Sequence, residues 1–268
     1  MSALVVILGR GGSKGVPNKN ARLIAGKPCA QWTIEAARKA STVGEVAFST
    51  DDPALKSLAR AHGCRVIDRP DALASDTATI DDAARHAVMT LDHAVCMQQN
   101  DRERSTLFDP IVILYANVPI RPEGLIDAAV NLCTSTGCDS VQSYAPVGKH
   151  HPWWTARLGT DGVVAPWEGD VLNHGVFRRQ DLPPAYIPDG GIIVVRRLAL
   201  FHKVEGVQAG PHAFFGKDRR GVINPEGSVV DIDAEIDLLA ADSILRSRSG
   251  LDQNGVGNSV RGNGGSER

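Results

Sequence analysis

No run in the 268-residue sequence approaches the roughly 18 apolar residues of a membrane-spanning helix. Nor does charge of one sign dominate. Lys and Arg number 29 against 31 Asp and Glu, a net charge of −2, so no global field points to nucleic acid or a membrane surface. Cysteine is scarce: Cys29, Cys64, Cys96, Cys133 and Cys138 are odd in number and widely spaced, with no C-x-x-C pair. That spacing argues against a cysteine metal site and for a reduced, cytoplasmic setting. The opening MSALVVILG has no basic segment before its apolar run, which ends at Arg10, so a secretory leader is not expected. Internal repeats are absent.

What the sequence does contain is a regular alternation. Residues 3–9, 45–52, 64–70, 109–119 and 139–147 read as strands. Between them, residues 29–40, 53–63, 79–95 and 122–135 carry helical periodicity, the second and fourth opened by proline. Asp76 or Thr77 is a candidate cap for the third helix. IVILY, at the heart of the fourth strand, is a β-branched run suited to a sheet centre. Such alternation predicts an α/β fold, a doubly wound, mainly parallel sheet with helices on both faces. Residues 148–188 break the pattern, being rich in His, Trp, Pro and Arg, and read as an insertion. GGIIVVRR returns to strand, and residues 227–248 read as a strand running into a final helix. The α/β domain is thus expected over 1–147 and 189–248. Residues 249–268, mostly Gly, Asn, Ser and Arg, are expected to form a disordered tail.

The first strand leads into LGRGGSKGVPNKN, residues 8–20. The dinucleotide fingerprint G-x-G-x-x-G fails there, because counting from Gly9 the sixth place is Lys14. Walker A fails as well, since Ser13-Lys14-Gly15 has the wrong order. A solvated turn would not need Arg10, Lys14 and Lys19 together. A phosphate-binding loop of another type would: glycines let backbone N–H groups approach an anion, and the cations supply charge. Its place beyond the carboxyl end of strand one is where open α/β sheets bind ligands.

RGGSKGVPNKN resembles the amino-terminal signature of the acylneuraminate cytidylyltransferases. Further resemblances follow in the family's order: STDD, DRPDALASDTA, KHHPWW, RRQDLPPAYIPDGG and VDIDAEIDL, covering residues 3 to about 245. The resemblance implies a nucleotide-diphospho-sugar-transferase-like fold whose insertion, 148–188, dimerises. It implies an enzyme joining CTP and a 2-keto-3-deoxy sugar acid into a CMP-sugar and pyrophosphate, with Mg²⁺ as cofactor and a homodimer as the working form. Carried over by position, Arg10, Ser13, Lys14, Lys19 and Asn20 would hold the nucleotide phosphates and ribose. Arg69 and Ala78 would lie along the cytidine. Arg179 would face the sugar or its carboxylate, Phe214 and Phe215 would pack near the sugar, and Asp231 and Asp233 would hold magnesium. Arg10, Lys14, Lys19, Asp231 and Asp233 are thereby the candidate catalytic residues.

Residue chemistry fits that assignment. In-line attack on a phosphorus builds charge on phosphoryl oxygens, so catalysis is positioning and charge neutralisation. Carboxylates at i and i+2 of an extended segment share one face, so DID presents Asp231 and Asp233 together with Ile232 turned inward. Asp233 is also a candidate helix cap, and Asp237 is expected in that helix's first turn. His150 and His151, with Trp153, Trp154 and Trp167, fit dimer contacts better than proton transfer. Arg178 and Arg179 read either as a solvated pair or as a guanidinium grip on a carboxylate.

Departures from the family pattern cluster on the sugar side. After the fourth strand the family reads LLQPTSPLR and this chain ILYANVPIR, placing Tyr115 and Asn117-Val118 at the Gln and Thr-Ser positions while Pro119 and Arg121 persist. Asp189 stands for an asparagine and Ile193 for a sugar-facing tyrosine. Tyr115, Asn117, Arg121 and Asp189 are therefore candidate acceptor contacts, and the acceptor is expected to differ from ordinary N-acetylneuraminate. The alternatives are a nucleotidyltransferase for another acceptor and a CTP-binding protein that has lost catalysis.

Overall fold

The computed structural model describes residues 2–12, 15–99 and 108–249, without side chains for 95–99. Ser13, Lys14 and nearly all of the expected tail lie outside the described residues. Seven strands form one sheet: β1 (Ala3–Leu8), β2 (Val43–Thr50), β3 (Arg65–Asp68), β4 (Ile111–Tyr115), β5 (Ser140–Pro146), β6 (Tyr186–Val195) and β7 (Arg219–Ile223), in the order β7-β5-β6-β4-β1-β2-β3. All pairs are parallel except those of β6, which runs antiparallel to both β4 and β5. Every residue of β1 is buried, as befits a strand covered on both faces.

The longer helices are α1 (Cys29–Lys39), α2 (Pro53–Ala61), α3 (Ile80–Gln99), α4 (Leu125–Thr136) and α5 (Glu235–Arg248), with single turns at Asp71–Ala74 and Arg197–Leu200. Asp52 caps α2, accepting from the Ala54 and Leu55 N–H groups at 2.7 and 3.0 Å ahead of Pro53. Thr79, rather than Asp76 or Thr77, caps α3. Its hydroxyl oxygen accepts from the Asp82 N–H at 3.2 Å and its O–H donates to the Asp82 carboxylate at 2.8 Å. One core layer packs α1, α2 and α4 on the sheet, and another packs α3, Leu200, Phe214 and Phe215 on the opposite face. A third joins Val16, Ile24, Ile120 and Ile232 to α5. The described cysteines, Cys29, Cys64, Cys133 and Cys138, are buried and unbridged. No helix among the described residues is long and apolar enough to cross a membrane.

Three details differ from expectation. β6 starts at Tyr186, so the last residues of the 148–188 segment already pair with β5. β7 escaped the reading of hydrophobic pattern, because RRGVI is polar at its start and sits at the sheet edge. The stretch before α5 makes only an isolated bridge, Val230 to Ile120, and continues extended through Ile232, whose N–H donates to the Asn117 carbonyl at 2.9 Å.

Candidate active site

Gly9 is placed where no side chain fits. A β-carbon there would come within 2.8 Å of Ala116 and 3.0 Å of Phe48. The loop beyond it is tied down by Asp51, which accepts from the Gly11 N–H at 2.9 Å. At Gly15 a β-carbon would meet the Asp233 carbonyl at 2.5 Å, so glycine is what lets the loop touch the segment carrying the two aspartates.

Lys19 spans that contact. Its ammonium donates to the Ile232 carbonyl and to Asp233 Oδ1, both at 2.7 Å. Asn20 is buried; its amide donates to the Arg10 carbonyl at 2.9 Å, while its Oδ1 is buried with no hydrogen-bond partner among the described residues. Arg10 is held by the turn after β3, donating to the Ala74 carbonyl at 3.1 Å and pairing with Asp76 at 2.8 Å. Arg69 is buried against β2, donating to the Ser49 carbonyl at 2.7 Å and the Ser49 hydroxyl at 3.1 Å. Burial pushes its pKa down to about 10, with Asp51 opposing and Arg10 adding to the shift. Together with Ala78, Tyr115 and Asn117, these cations line a cavity of about 260 Å³ at the carboxyl ends of β1 and β4.

A second hollow adjoins the first at Tyr115. It is lined by Gln142, Ser143, Pro188, Asp189, Gly190, Ile192, Ile193 and Asp231. Asp231 accepts a short hydrogen bond from the Asn117 amide. Burial pushes its pKa up to about 6, Asp233 adds to the rise, and Lys19 and Arg121 oppose it. Ile232 between the two aspartates is fully buried, as expected; Asp231 lines the second hollow, whereas Asp233 lines neither hollow and pairs with Lys19. Asp233 does not cap α5. Ala234 occupies the cap position, and Asp237 accepts from the Asp233 and Ala234 N–H groups at 2.9 and 2.7 Å.

Residues 4–102 match a family model described as Cytidylyltransferase. The N-acylneuraminate cytidylyltransferase of Streptococcus agalactiae is 31% identical over 196 residues, covering 72% of this chain and 43% of that protein. The N-acylneuraminate cytidylyltransferase A of Danio rerio is 31% identical over 245 residues, 90% of this chain and 50% of the relative. This chain belongs to the acylneuraminate cytidylyltransferase family. It spans about half the length or less of those two relatives. The CMP-N,N'-diacetyllegionaminic acid synthase of Legionella pneumophila is 28% identical over 246 residues and matched over 97% of its length. The fold of the present chain is shared with a CMP:2-keto-3-deoxy-manno-octonic acid synthetase complexed with CTP, at a TM-score of 0.63, 17% identity, and coverage of 92% of this chain and 100% of the other.

Within this cytidylyltransferase fold, several residues assigned by family position lie elsewhere than expected. Phe214 and Phe215 are 3% and 4% exposed, packed in the α3 core layer, and line neither hollow. Their apolar surface is spent on the core, so Phe214→Ala is expected to cost about 3–5 kcal/mol of stability, which thermal unfolding checks.

Arg179 is half exposed, paired with Glu226, and lines neither hollow; Arg178 pairs with Asp181 at 2.7 Å. Arg121 is turned inward, donating to the carbonyls of Gly191 (2.7 Å), Tyr115 (2.9 Å) and Val118, and to the Thr33 hydroxyl (2.9 Å). It is a brace under the loop, not an acceptor contact. Asp189 likewise spends its carboxylate on protein donors.

His151 is buried, with Nδ1 accepting from the Trp153 N–H at 3.1 Å and Nε2 lying 3.1 Å from the Pro183 carbonyl. That pattern requires the Nε2–H tautomer and makes His151 a structural pin. Asp51 and Ser49 were not singled out from sequence, and Asp76 was singled out only as a candidate helix cap, not as the partner of Arg10. Their signal lay in STDD and DRPDALASDTA, which place polar residues where strands two and three end.

Proposed function

We propose that the chain transfers CMP from CTP to the 2-hydroxyl of a 2-keto-3-deoxy sugar acid of the nonulosonic type, releasing pyrophosphate. Lys19 carries this reading. One ammonium, in the wall of the cationic cavity, joins the glycine-rich loop to the DID segment, whose Asp231 lines the second, more apolar hollow. An ammonium has three N–H groups. Acceptors among the described residues take two, which leaves one for a phosphoryl oxygen.

Arg10, Lys19 and Arg69 supply the positive field for the triphosphate, with Lys14 by family position. The buried Asn20 Oδ1, unpartnered among the described residues, is an acceptor suited to a ribose hydroxyl. The acceptor hydroxyl loses its proton to water as its oxygen attacks the α-phosphorus, the bond to the β-phosphate oxygen breaks, and pyrophosphate leaves with its charge held by the cations.

Asp231 and Asp233 fit a divalent cation. Burial raises the proton affinity of Asp231 most and the nearby Asp233 adds to it, and a bound cation would offset both. Among the described residues no group of three or more His, Cys, Asp or Glu could hold a metal, so two carboxylates would share the ion with phosphate and water, which suits magnesium. When bound, magnesium supplies charge neutralisation at the phosphates.

The acceptor end carries Tyr115, Asn117, Ile193 and a spent Asp189, consistent with an acid other than N-acetylneuraminate. The insertion exposes Leu158, Val163, Trp167 and Phe177. Such a patch suits a partner, here a second copy of the chain, and equilibrium sedimentation is expected to give a dimer.

Nucleotide competition tests the reading. Calorimetry with CTP, UTP, ATP and GTP is expected to rank CTP tightest, and equal affinities would contradict a cytidylyltransferase.

A further inference from the structure

β6 leaves the sheet ladder for a short excursion. Pro188 pairs with Tyr144 and pairing resumes at Ile193 with Gln142, so Asp189, Gly190, Gly191 and Ile192 together face the single residue Ser143. Backbone groups in such a bulge lose ladder partners and need others. Asp189 supplies them. Its Oδ1 accepts from the Ser143 hydroxyl and, at 2.9 Å, from the Gly191 N–H; its Oδ2 accepts from the Asn224 amide at 2.7 Å. The Ser143 hydroxyl oxygen in turn accepts from the Ile192 N–H at 3.0 Å.

The excursion then meets the site from two sides. The Gly191 carbonyl takes Arg121 Nε at 2.7 Å, and Arg121 also holds the Tyr115 and Val118 carbonyls. Gly190, at φ +73°, lies against Asp231: a β-carbon there would stand 3.7 Å from Asp231 Oδ2. Every group that meets Asp189 is a donor, which an acceptor-only carboxylate satisfies.

We propose that Asp189 is a positioning residue for the acceptor end of the site. Its carboxylate pins the Asp189–Ile192 excursion against Asp231 and so sets where the acceptor stops relative to the transferring phosphate. The proposal rests on the cytidylyltransferase reading above. Asp189 acts without touching the acceptor, because its oxygens are directed into the bulge. Alignment of reacting groups is steep in distance, so a displaced bulge slows transfer more than it weakens nucleotide binding.

Asp189→Ala and Asp189→Asn separate position from charge. Alanine deletes all the bonds. Asparagine keeps an oxygen for Ser143 and Gly191, and Asn224 can turn its own amide oxygen toward the new amide. Asp189→Ala is expected to lower kcat by about 100-fold and raise KM for the acid, with the calorimetric Kd for CTP unchanged. Asp189→Asn is expected to restore most of kcat. A merely stabilising role would lower Tm and leave the kinetics of the folded enzyme alone.

Hydrogen exchange reads the pinning without turnover. Peptides spanning Gly190–Ile192 lose protection in Asp189→Ala, while those from β1 keep theirs. Wild-type kinetics in Asp189→Ala, unchanged exchange there, or equal loss of kcat in both variants would each overturn the proposal. A wild-type enzyme with no turnover on any acid would defeat the cytidylyltransferase reading instead, and the exchange result would still decide the pinning.

Discussion

Lys19→Ala is expected to lower kcat by about 10²–10³-fold, the usual cost of removing one preorganised donor from a site of developing negative charge. The side chain is largely covered, and its ammonium already sits between the Ile232 carbonyl and Asp233. It is therefore held in place before substrate arrives, and little reorganisation is needed when the α-phosphoryl charge grows. Arginine at this position is not expected to rescue, because a planar fork cannot occupy the space of a compact ammonium bonded to two oxygens. Steady-state kinetics with varied CTP provide the check. Wild-type kcat and KM in Lys19→Ala would remove the residue from the nucleotide site.

Asp231→Asn is expected to lower kcat by at least about 10²-fold, comparable to losing other charge-organising groups, and to shift the magnesium dependence to higher concentration. The substitution is nearly isosteric, and the new side-chain oxygen can still accept from Asn117, so Tm should hold. On the proposed reading it removes one of two hard anionic ligands, and an amide oxygen is a weaker partner for magnesium. A magnesium titration of activity, run beside a thermal melt, distinguishes this from misfolding. An unchanged magnesium response would show that Asp231 is not a ligand.

Much of this was legible in the sequence for a physical reason: strands buried on both faces and amphipathic helices leave periodic hydrophobic marks. The loop after β1 was legible too, since glycines and cations beyond a buried strand have few structural uses. Elements fixed by distant partners left no such mark. β7 is a strand because it pairs with β5, not because RRGVI is apolar. Phe214 and Phe215 have the composition of a pocket wall and of a core alike, and only the position of α3 decides between them. Asp189 could be recognised as a departure, but its direction depends on Ser143 and Asn224, 46 and 35 positions away in the chain. Arg179 likewise needed Glu226, 47 positions on, to show where it points.

Pyrophosphate release from CTP and Mg²⁺ against a panel of nonulosonic acids and 2-keto-3-deoxy-octonic acid tests the central claim most directly. Release that requires both CTP and one of these acids, and that collapses in Lys19→Ala, is the expected result. No release with any acid, from protein that binds CTP by calorimetry, would contradict it.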